Sequence, residues 1–254
     1  MENTMENTKV IILAAGQGTR MRSDLAKVLH EVKGQPMIGR VLDMVGLVSP
    51  DEIYLVIGHQ AERVKAATAR YDVIYVEQKV QLGTGHAVLM AEPALKNYDG
   101  LTIILCGDVP LLRGETVKEL RAKCLAEKLD GIILTVRLDD PQHYGRIVRG
   151  PTGQVERIVE YRDATDAEKK IDEVNSGIYC FRTRELFAAL RQIQNQNDQR
   201  EYYLTDVIGI MAGQGKTIGT LLTADAGQVQ GVNDLEDLRR AEARLQSSPH
   251  CAAR

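Results

Sequence analysis

Cysteine is scarce and irregularly placed in this 254-residue sequence. Cys106, Cys124, Cys180 and Cys251 form no C-x-x-C pair, and no histidine lies at metal-ligand spacing from them. This spacing argues against a zinc site and against a disulfide framework. We therefore expect reduced thiols, as in a cytoplasmic protein.

Long apolar runs and an excess of positive charge are also absent. No run approaches the roughly 20 residues that a membrane-spanning helix needs, and the N-terminal MENTMENT is polar and acidic rather than basic and then apolar. The net charge is -3 and the pI about 6.0, so no global positive field attracts nucleic acid or an anionic membrane. We predict no membrane, nucleic-acid or protein partner, and a local site for any small anionic substrate.

The length and the 44% hydrophobic content suit one large α/β domain. Short runs rich in Val, Ile and Leu predict buried strands at Val10–Leu13, Ile53–Ile57, Val73–Val76, Leu101–Cys106 and Ile132–Val136. Helical periodicity lies between them at Met37–Val48, Gln60–Ala69, His86–Leu95 and Glu115–Leu129. This alternation predicts a mainly parallel, doubly wound sheet.

After Thr135 the pattern changes to shorter strands, which predicts a smaller mixed-sheet lobe. Strands are expected around Ile147 and at Val155–Val159, Ile178–Phe181 and Ile218–Leu222, and helices at Arg184–Ile193, Thr205–Ala212 and Asp234–Gln246. We place one domain at 9–246, with a first half at 9–135 and a second half at 136–230. Residues 1–8 and 247–254 are predicted to be flexible termini.

The first strand leads into a loop that carries glycines and then cations. Gly16 and Gly18 allow backbone N–H groups to approach phosphate oxygens, and Arg20, Arg22 and Lys27 follow. A dinucleotide fingerprint needs glycine or alanine where Met21 stands, and the Gly-Lys-Ser/Thr of a P-loop is missing. The loop therefore predicts phosphate binding of another kind.

Two further loops follow predicted strands, where ligands bind in open α/β sheets. Asp108 comes after the strand at Leu101–Cys106 and is either a turn residue before Pro110 or a hard oxygen ligand for Mg²⁺. Gly83-Thr84-Gly85 precedes an apolar helix and is either a helix cap or, with Gln78, a surface against a pyrimidine base. Spacing alone leaves both pairs of alternatives open.

Eight ordered motifs between about Lys9 and Leu245 resemble one family. They read LAAGQGTRMRSDLAKVLH, EQKVQLGTGHA, LCGDVPLL, LDDPQHYGRIVR, IVEYRDAT, VNSGIY, EYYLTD and GVND. The sequence is similar to the uridylyltransferase part of bacterial N-acetylglucosamine-1-phosphate uridylyltransferases. The resemblance implies a Rossmann-like, glycosyltransferase-A-type nucleotide-diphospho-sugar transferase fold with a mainly parallel mixed sheet. It makes 9–246 a nucleotidyltransferase domain, with a nucleotide-binding half at 9–135 and a sugar-binding half at 136–230. It also implies Mg²⁺-dependent synthesis of UDP-N-acetylglucosamine, a cell-envelope precursor, from UTP and N-acetylglucosamine 1-phosphate.

The resemblance assigns roles to residues of this chain. Arg20 and Lys27 hold the triphosphate, and Asp108 and Asn233 bind Mg²⁺. The uracil is surrounded by Ala14, Gly16, Gln78 and Gly83, with Thr84 beside them; the sugar is held by Gly145, Glu160 and Asn175, and Tyr203 and Thr205 lie near its phosphate. Three of these residues have structural alternatives, since Asn233 and Thr205 can cap helices and Glu160 can be a solvated charge.

The sequence departs from the family pattern in three places. Many relatives have proline at Ala26, so the loop before Lys27 is expected to be more mobile. Tyr161-Arg162 replaces a His-Lys pair seen in relatives. The chain stops before the hexapeptide-repeat domain with which the family continues, and we expect neither acetyltransferase activity nor the trimer contacts of that domain. A transferase for another sugar such as glucose 1-phosphate, or a non-catalytic nucleotide-sugar sensor, remains an alternative function.

Overall fold

A computed structural model describes residues 7–21 and 23–247 of the chain. The strands are β1 (Thr8–Ala14), β2 (Glu31–Val32), β3 (Gln35–Pro36), β4 (Glu52–Ile57), β5 (Ile74–Glu77), β6 (Leu101–Cys106), β7 (Gly131–Arg137), β8 (Arg146–Arg149), β9 (Val155–Val159), β10 (Glu173–Arg182) and β11 (Ile218–Thr223). The helices are α1 (Met37–Val48), α2 (Ala61–Thr68), α3 (Thr84–Leu89), α4 (Glu92–Leu95), α5 (Gly114–Ala126), α6 (Thr183–Leu190), α7 (Asp206–Gly213) and α8 (Leu235–Ser247).

Nine of these strands form one twisted sheet in the described part of the chain, with the main order β11-β7-β10-β6-β1-β4-β5. The pairs β1–β4, β1–β6, β4–β5 and β7–β11 are parallel. Strand β10 runs antiparallel to both β6 and β7, and it also carries β8, which pairs with β9. The predicted α/β class with a mainly parallel mixed sheet is confirmed.

Alternation along β1 explains why helices cover both faces of the sheet. Val10 and Ile12 belong to the apolar cluster that includes residues of α1 and α5, whereas Ile11 belongs to the cluster on the opposite face with residues of α3 and α7. These three side chains have no exposed surface. A strand buried on both faces reads as a continuous apolar run, and such runs were the basis of the strand predictions.

Several elements differ from the sequence predictions. The helix predicted at His86–Leu95 is two short helices, because Pro93 lies at the start of α4 and has no N–H for a continuous helical ladder. Strand β10 begins at Glu173, five residues before the prediction, and its pairing with β7 shifts between Asn175 and Tyr179. The β2–β3 hairpin was not predicted; its two-residue turn has positive φ at both Lys33 and Gly34.

The chain ends also differ slightly from the predictions. Thr8 is buried in β1 and belongs to the sheet, so its assignment to a flexible terminus is wrong. The predicted flexible residues 1–6 and 248–254 lie outside the described residues, as does Cys251. Within residues 7–21 and 23–247, no helix is both long enough and apolar enough to span a membrane.

Candidate nucleotide-sugar site

The candidate site lies at the carboxyl ends of neighbouring strands. Strands β6, β1, β4 and β5 are adjacent and parallel, so the loops that follow them emerge at the same edge of the sheet. The backbone connects these loops: Gly107 N donates to Leu13 O (2.9 Å), His59 N to Ala15 O (3.1 Å) and Gln78 N to Ile57 O (2.8 Å). Sheet topology therefore brings together the loops that the sequence places far apart.

The loop after β1 folds back on itself to present Lys27. Gly18 has φ +69°, and a side chain there would collide with Lys27, so this position requires glycine. Gln60 accepts a hydrogen bond from Ala26 N (3.1 Å) and donates to Asp24 O. The φ of Ala26 is −53°, within the range that proline would impose. Gln60 thus connects the loop to the region after β4.

Two cationic side chains and two oxygen-bearing side chains meet at this edge. Lys27 Nζ forms an ion pair with Asp108 Oδ2 and lies 3.3 Å from Asn233 Oδ1. Arg20 donates to the same Asn233 oxygen at 2.9 Å. Val232 N donates to Asp108 O (2.9 Å), which holds the segment carrying Asn233 beside the end of β6. The four predicted residues form one cluster, whereas Arg22 lies outside the described residues.

The oxygens of this cluster fit a hard divalent cation. In this structure the Asp108 carboxylate and the Asn233 amide oxygen both face the Lys27 ammonium group, a positive charge. No group of three or more His, Cys, Asp or Glu side chains suited to a metal occurs in the described ranges. A Mg²⁺ ion commonly takes one or two protein oxygens and completes its octahedron with water and substrate phosphates, which this pair allows.

The alternative capping roles of Asn233 and Thr205 are not formed. Helix α8 is capped by Asp234, whose Oδ1 accepts from Glu236 N and Asp237 N at 2.9 Å each. Thr205 precedes α7 but makes no side-chain cap; its hydroxyl donates to Glu160 Oε1 at 3.0 Å. Both side chains therefore face other polar groups of the site and not the ends of their helices.

The glycine-rich loop before α3 is joined to the segment 201–204. Tyr202 N donates to Leu82 O and Gly85 N donates to Tyr202 O, each at 2.8 Å. Thr84 Oγ1 accepts from Leu204 N (3.1 Å), so its hydroxyl joins the two loops and does not cap α3. Gly83 has φ +113°, and an added Cβ would lie 2.6 Å from Tyr202 O. These contacts fix the loop that carries Gln78 and Gly83.

The polar groups predicted to hold a sugar lie around the start of β10. Asn175 N donates to Gly145 O (2.9 Å), and a Cβ on Gly145 would lie 3.5 Å from Glu160 Oε2. Asn175 Nδ2 donates to Tyr179 Oη at 2.7 Å, and Asn175 Oδ1 accepts from Gly177 N at 3.0 Å. Burial raises the pKa of the Glu160 carboxyl, although the Thr205 hydrogen bond opposes this shift. The fully solvated role for Glu160 is therefore wrong.

These groups open into a cleft of about 580 Å³. Seven of the predicted residues line it: Arg20, Thr84, Gly145, Glu160, Asn175, Thr205 and Asn233. Lys27 contacts Asn233, which lines the cleft, and Asp108 contacts Lys27. Four other predicted residues are not among those that line it: Ala14 ends β1, Gly16 lies in the loop after β1, and Gln78 and Gly83 lie in the loop after β5. Tyr203 does not line the cleft: it is buried, and its hydroxyl accepts from Gln199 (2.9 Å).

Sequence reasoning missed residues that hold the predicted ones in place. Arg146 is 2% exposed and donates to the carbonyl groups of Pro141, Gln142 and Tyr144, which shapes the loop before Gly145. Tyr179 fixes the amide of Asn175, and its pKa is raised well above the ordinary value by burial. Two features of the sequence could have identified Arg146: it directly follows the predicted Gly145, and it is a charged residue within a short strand.

The family model for MobA-like NTP transferase domains matches residues 10–206 of this chain. Curated relatives are the bifunctional protein GlmU of Halalkalibacterium halodurans, 50% identical over 238 residues, and those of Oceanobacillus iheyensis and Streptococcus suis, each 46% identical. Each match covers 94% of this chain and 52% of the relative, so the chain spans about half the length of these curated relatives.

A solved structure with the same fold is a UDP-glucose pyrophosphorylase complexed with UDP-glucose. The TM-score is 0.75 at 16% sequence identity, and the match covers 94% of this chain and 98% of that one. At this identity the likeness concerns the fold alone, and it confirms the predicted nucleotide-diphospho-sugar transferase fold. The family resemblance inferred from the motifs is likewise confirmed.

Proposed function

The chain belongs to the family of MobA-like NTP transferase domains, and on that premise we propose that it transfers the uridylyl group of UTP to N-acetylglucosamine 1-phosphate, releasing pyrophosphate. The observation that carries the proposal is the cluster of Arg20, Lys27, Asp108 and Asn233 beside a cleft that Gly145, Glu160, Asn175 and Thr205 also line. Cations and side-chain oxygens suit a triphosphate and its metal, and the further polar groups suit the hydroxyl groups of a sugar.

The proposed chemistry is in-line attack by a phosphate oxygen of the sugar phosphate on the α-phosphorus of UTP. That oxygen is already an anion at neutral pH, so the protein need not supply a general base. What the protein must supply is alignment of two anions and neutralisation of the leaving pyrophosphate. Arg20 and Lys27 serve the second task, because their charges lie next to each other at the Asn233 oxygen.

Asp108 and Asn233 are the residues proposed to hold Mg²⁺. A bound Mg²⁺ ion would supply electrostatic stabilisation of phosphate charge at this end of the cleft. If a metal took the Asp108 carboxylate, the Lys27 ammonium group would be available to contact the substrate phosphates. Lys27 is therefore proposed to bind the anionic substrate.

The remaining predicted residues are assigned proposed roles from where they lie around the cleft. For the uracil we propose the loops carrying Ala14, Gly16, Gln78, Gly83 and Thr84, and for the sugar the groups Gly145, Glu160 and Asn175. Thr205 lies within hydrogen-bond distance of Glu160 and is placed near the sugar phosphate, with Tyr203 behind it. On these assignments, residues 9–135 form the nucleotide-binding half of the domain and residues 136–230 the sugar-binding half. We also propose that the enzyme works in the cytoplasm.

Pyrophosphate release from UTP tests this proposal most directly. The purified chain is incubated with N-acetylglucosamine 1-phosphate, with and without Mg²⁺, and in parallel with glucosamine 1-phosphate and glucose 1-phosphate. We expect rapid release with the acetylated sugar only, and loss of release when the metal is chelated. Release with another sugar alone would change the substrate but keep the chemistry.

A nucleotide-sugar sensor predicts a different result. It would bind UTP or the nucleotide sugar without turnover at any metal concentration, and calorimetry of the same preparations would reveal that binding. The intact set of phosphate cations and oxygen ligands favours catalysis, since a sensor has no need to neutralise a leaving group.

A further inference from the structure

The amide of Gln78 is held by two acceptors. Gln78 is 3% exposed, and its Nε2 lies 3.1 Å from Gly83 O and 2.9 Å from His86 Nδ1. A backbone carbonyl can only accept a hydrogen bond, so the side-chain atom facing Gly83 O must be the nitrogen and not the oxygen. Gly83 O is therefore one of two acceptors that favour this orientation of the amide.

The protonation state of His86 follows from that orientation. Gln78 Nε2 donates one proton to Gly83 O and has one left, so His86 Nδ1 must accept it, which requires a neutral imidazole with its proton on Nε2. Burial lowers the pKa of His86, which favours the same neutral form. His86 is placed for this contact by α3, which begins at Thr84 directly after Gly83.

Both amide protons of Gln78 are then used within the protein. Among the described residues, no hydrogen bond ends on Gln78 Oε1, and this oxygen is not one of the buried atoms lacking a partner. Gln78 can therefore offer a ligand one polar atom, and that atom is an acceptor. A base that meets it must present an N–H group at that point.

We propose that His86 is a positioning residue for nucleotide selection, which accepts from Gln78 and thereby makes Gln78 an obligatory acceptor toward the base. This inference rests on the proposed function, because it concerns how UTP is chosen. Uracil carries a donor at ring nitrogen N3, whereas cytosine carries a lone pair there and would face the Gln78 oxygen unfavourably. Without His86 only one acceptor, Gly83 O, favours this orientation, and the turned amide, which presents its NH₂ group to the base, becomes more populated.

The test compares UTP with CTP in the wild type, His86→Leu and His86→Asn, using the full chain with Mg²⁺ and N-acetylglucosamine 1-phosphate. Leucine removes the acceptor, whereas the asparagine oxygen can replace Nδ1. We expect the UTP-to-CTP ratio of kcat/KM to fall at least about 10-fold in His86→Leu and to stay within about threefold of wild type in His86→Asn. The KM for the sugar phosphate should not change in either variant.

Other outcomes overturn the proposal. An unchanged ratio in a folded His86→Leu variant contradicts it, and so does an equal loss with both nucleotides, which indicates a merely structural role. Equilibrium binding of UTP and CTP to the same three proteins gives the same ratio without turnover. A wild type that binds UTP selectively but releases no pyrophosphate would therefore overturn the proposed function and leave the role of His86 decided by the binding ratios.

Discussion

Lys27 and Asp108 form an ion pair whose members are proposed to act on different partners during catalysis. We expect Lys27→Ala or Asp108→Ala to lower kcat for pyrophosphate release at least about 10²-fold, because each removes charge stabilisation of the transition state. The double variant should lose much less than the product of the two single losses, since the groups act as a unit. Steady-state kinetics of the four proteins measures this.

The matched control for this prediction is Lys118→Ala. Lys118 is an exposed residue of α5 and takes no part in the cluster. Its kcat should equal that of the wild type. Wild-type turnover in a folded Lys27→Ala variant would contradict the assignment of Lys27 to the departing pyrophosphate.

Tyr179 lines the cleft and holds the amide of Asn175, through which we expect it to affect sugar binding. Tyr179→Phe removes the hydroxyl that accepts from Asn175 Nδ2 and leaves the buried ring in place. We expect the KM for N-acetylglucosamine 1-phosphate to rise about 5-fold, the effect of one neutral hydrogen bond, with the KM for UTP unchanged. Tyr75→Phe is the matched control, because its hydroxyl contacts Thr68 (2.9 Å) outside the cleft. A parallel rise in both KM values would indicate general destabilisation instead.

Residue types and motifs predicted the four members of the cation and oxygen cluster, whereas the residues that hold other site groups in place were missed. Asp108 was readable because a charged residue directly after an apolar strand has few structural reasons to be there, and Lys27 because it follows a glycine-bearing loop together with other cations. Gln60, His86 and Tyr179 were not, because their roles depend on partners between 4 and 36 positions away and on side-chain direction. Local spacing contains no information on either.

At the scale of elements, the side chain of Gln60 joins the loop before Lys27 to the region after β4. Gln60→Ala removes the bonds to Ala26 N and Asp24 O, and we expect kcat to fall about 10-fold through a less ordered Lys27 while the sheet stays folded. Adding Ala26→Pro should recover part of that loss. Proline suits the φ of −53° and eliminates the N–H that lost its partner.

Kinetics and thermal unfolding of the two variants separate these effects. Gln214→Ala, at the exposed end of α7, is the matched glutamine control and should behave as wild type. If Gln60→Ala retains full kcat, the loop is held by its other contacts and Gln60 is not a positioning residue.

The bounds of the buried parallel strands were predicted well, whereas the first half of β10 was missed. One physical cause explains both results. The predicted strand at Leu101–Cys106 has the observed bounds of β6 because its side chains are apolar on both faces. The first half of β10 contains Glu173, Asn175 and Ser176, which are buried by pairing with other polar groups. Polar satisfaction is a tertiary property, so a hydrophobicity pattern cannot detect such a strand.

At the scale of the whole molecule, α7 brings an acidic residue into the half of the fold formed by residues 136–230. Asp206 begins α7, and burial, together with the nearby charge of Asp163, raises its pKa from 3.8 to about 6. The folded state therefore binds the proton more tightly than the unfolded state does. Protonated Asp206 therefore contributes stability that is fully present below the pKa that Asp206 has in the unfolded state. This stability is lost as the pH rises through the pKa that Asp206 has in the folded state.

Asp206→Asn should therefore stabilise the protein in a pH-dependent way. We expect the two free energies of unfolding to be nearly equal below pH about 4 and to diverge until pH about 6, where the variant gains about 1 kcal/mol after allowance for solvent screening. Urea titrations of the wild type and the variant from pH about 4 to pH 8 measure the difference between their free energies of unfolding. Asp72→Asn, at an exposed position before β5, is the matched surface control. A gain that is largest at low pH would reverse the sign and show that ionised Asp206 stabilises the fold.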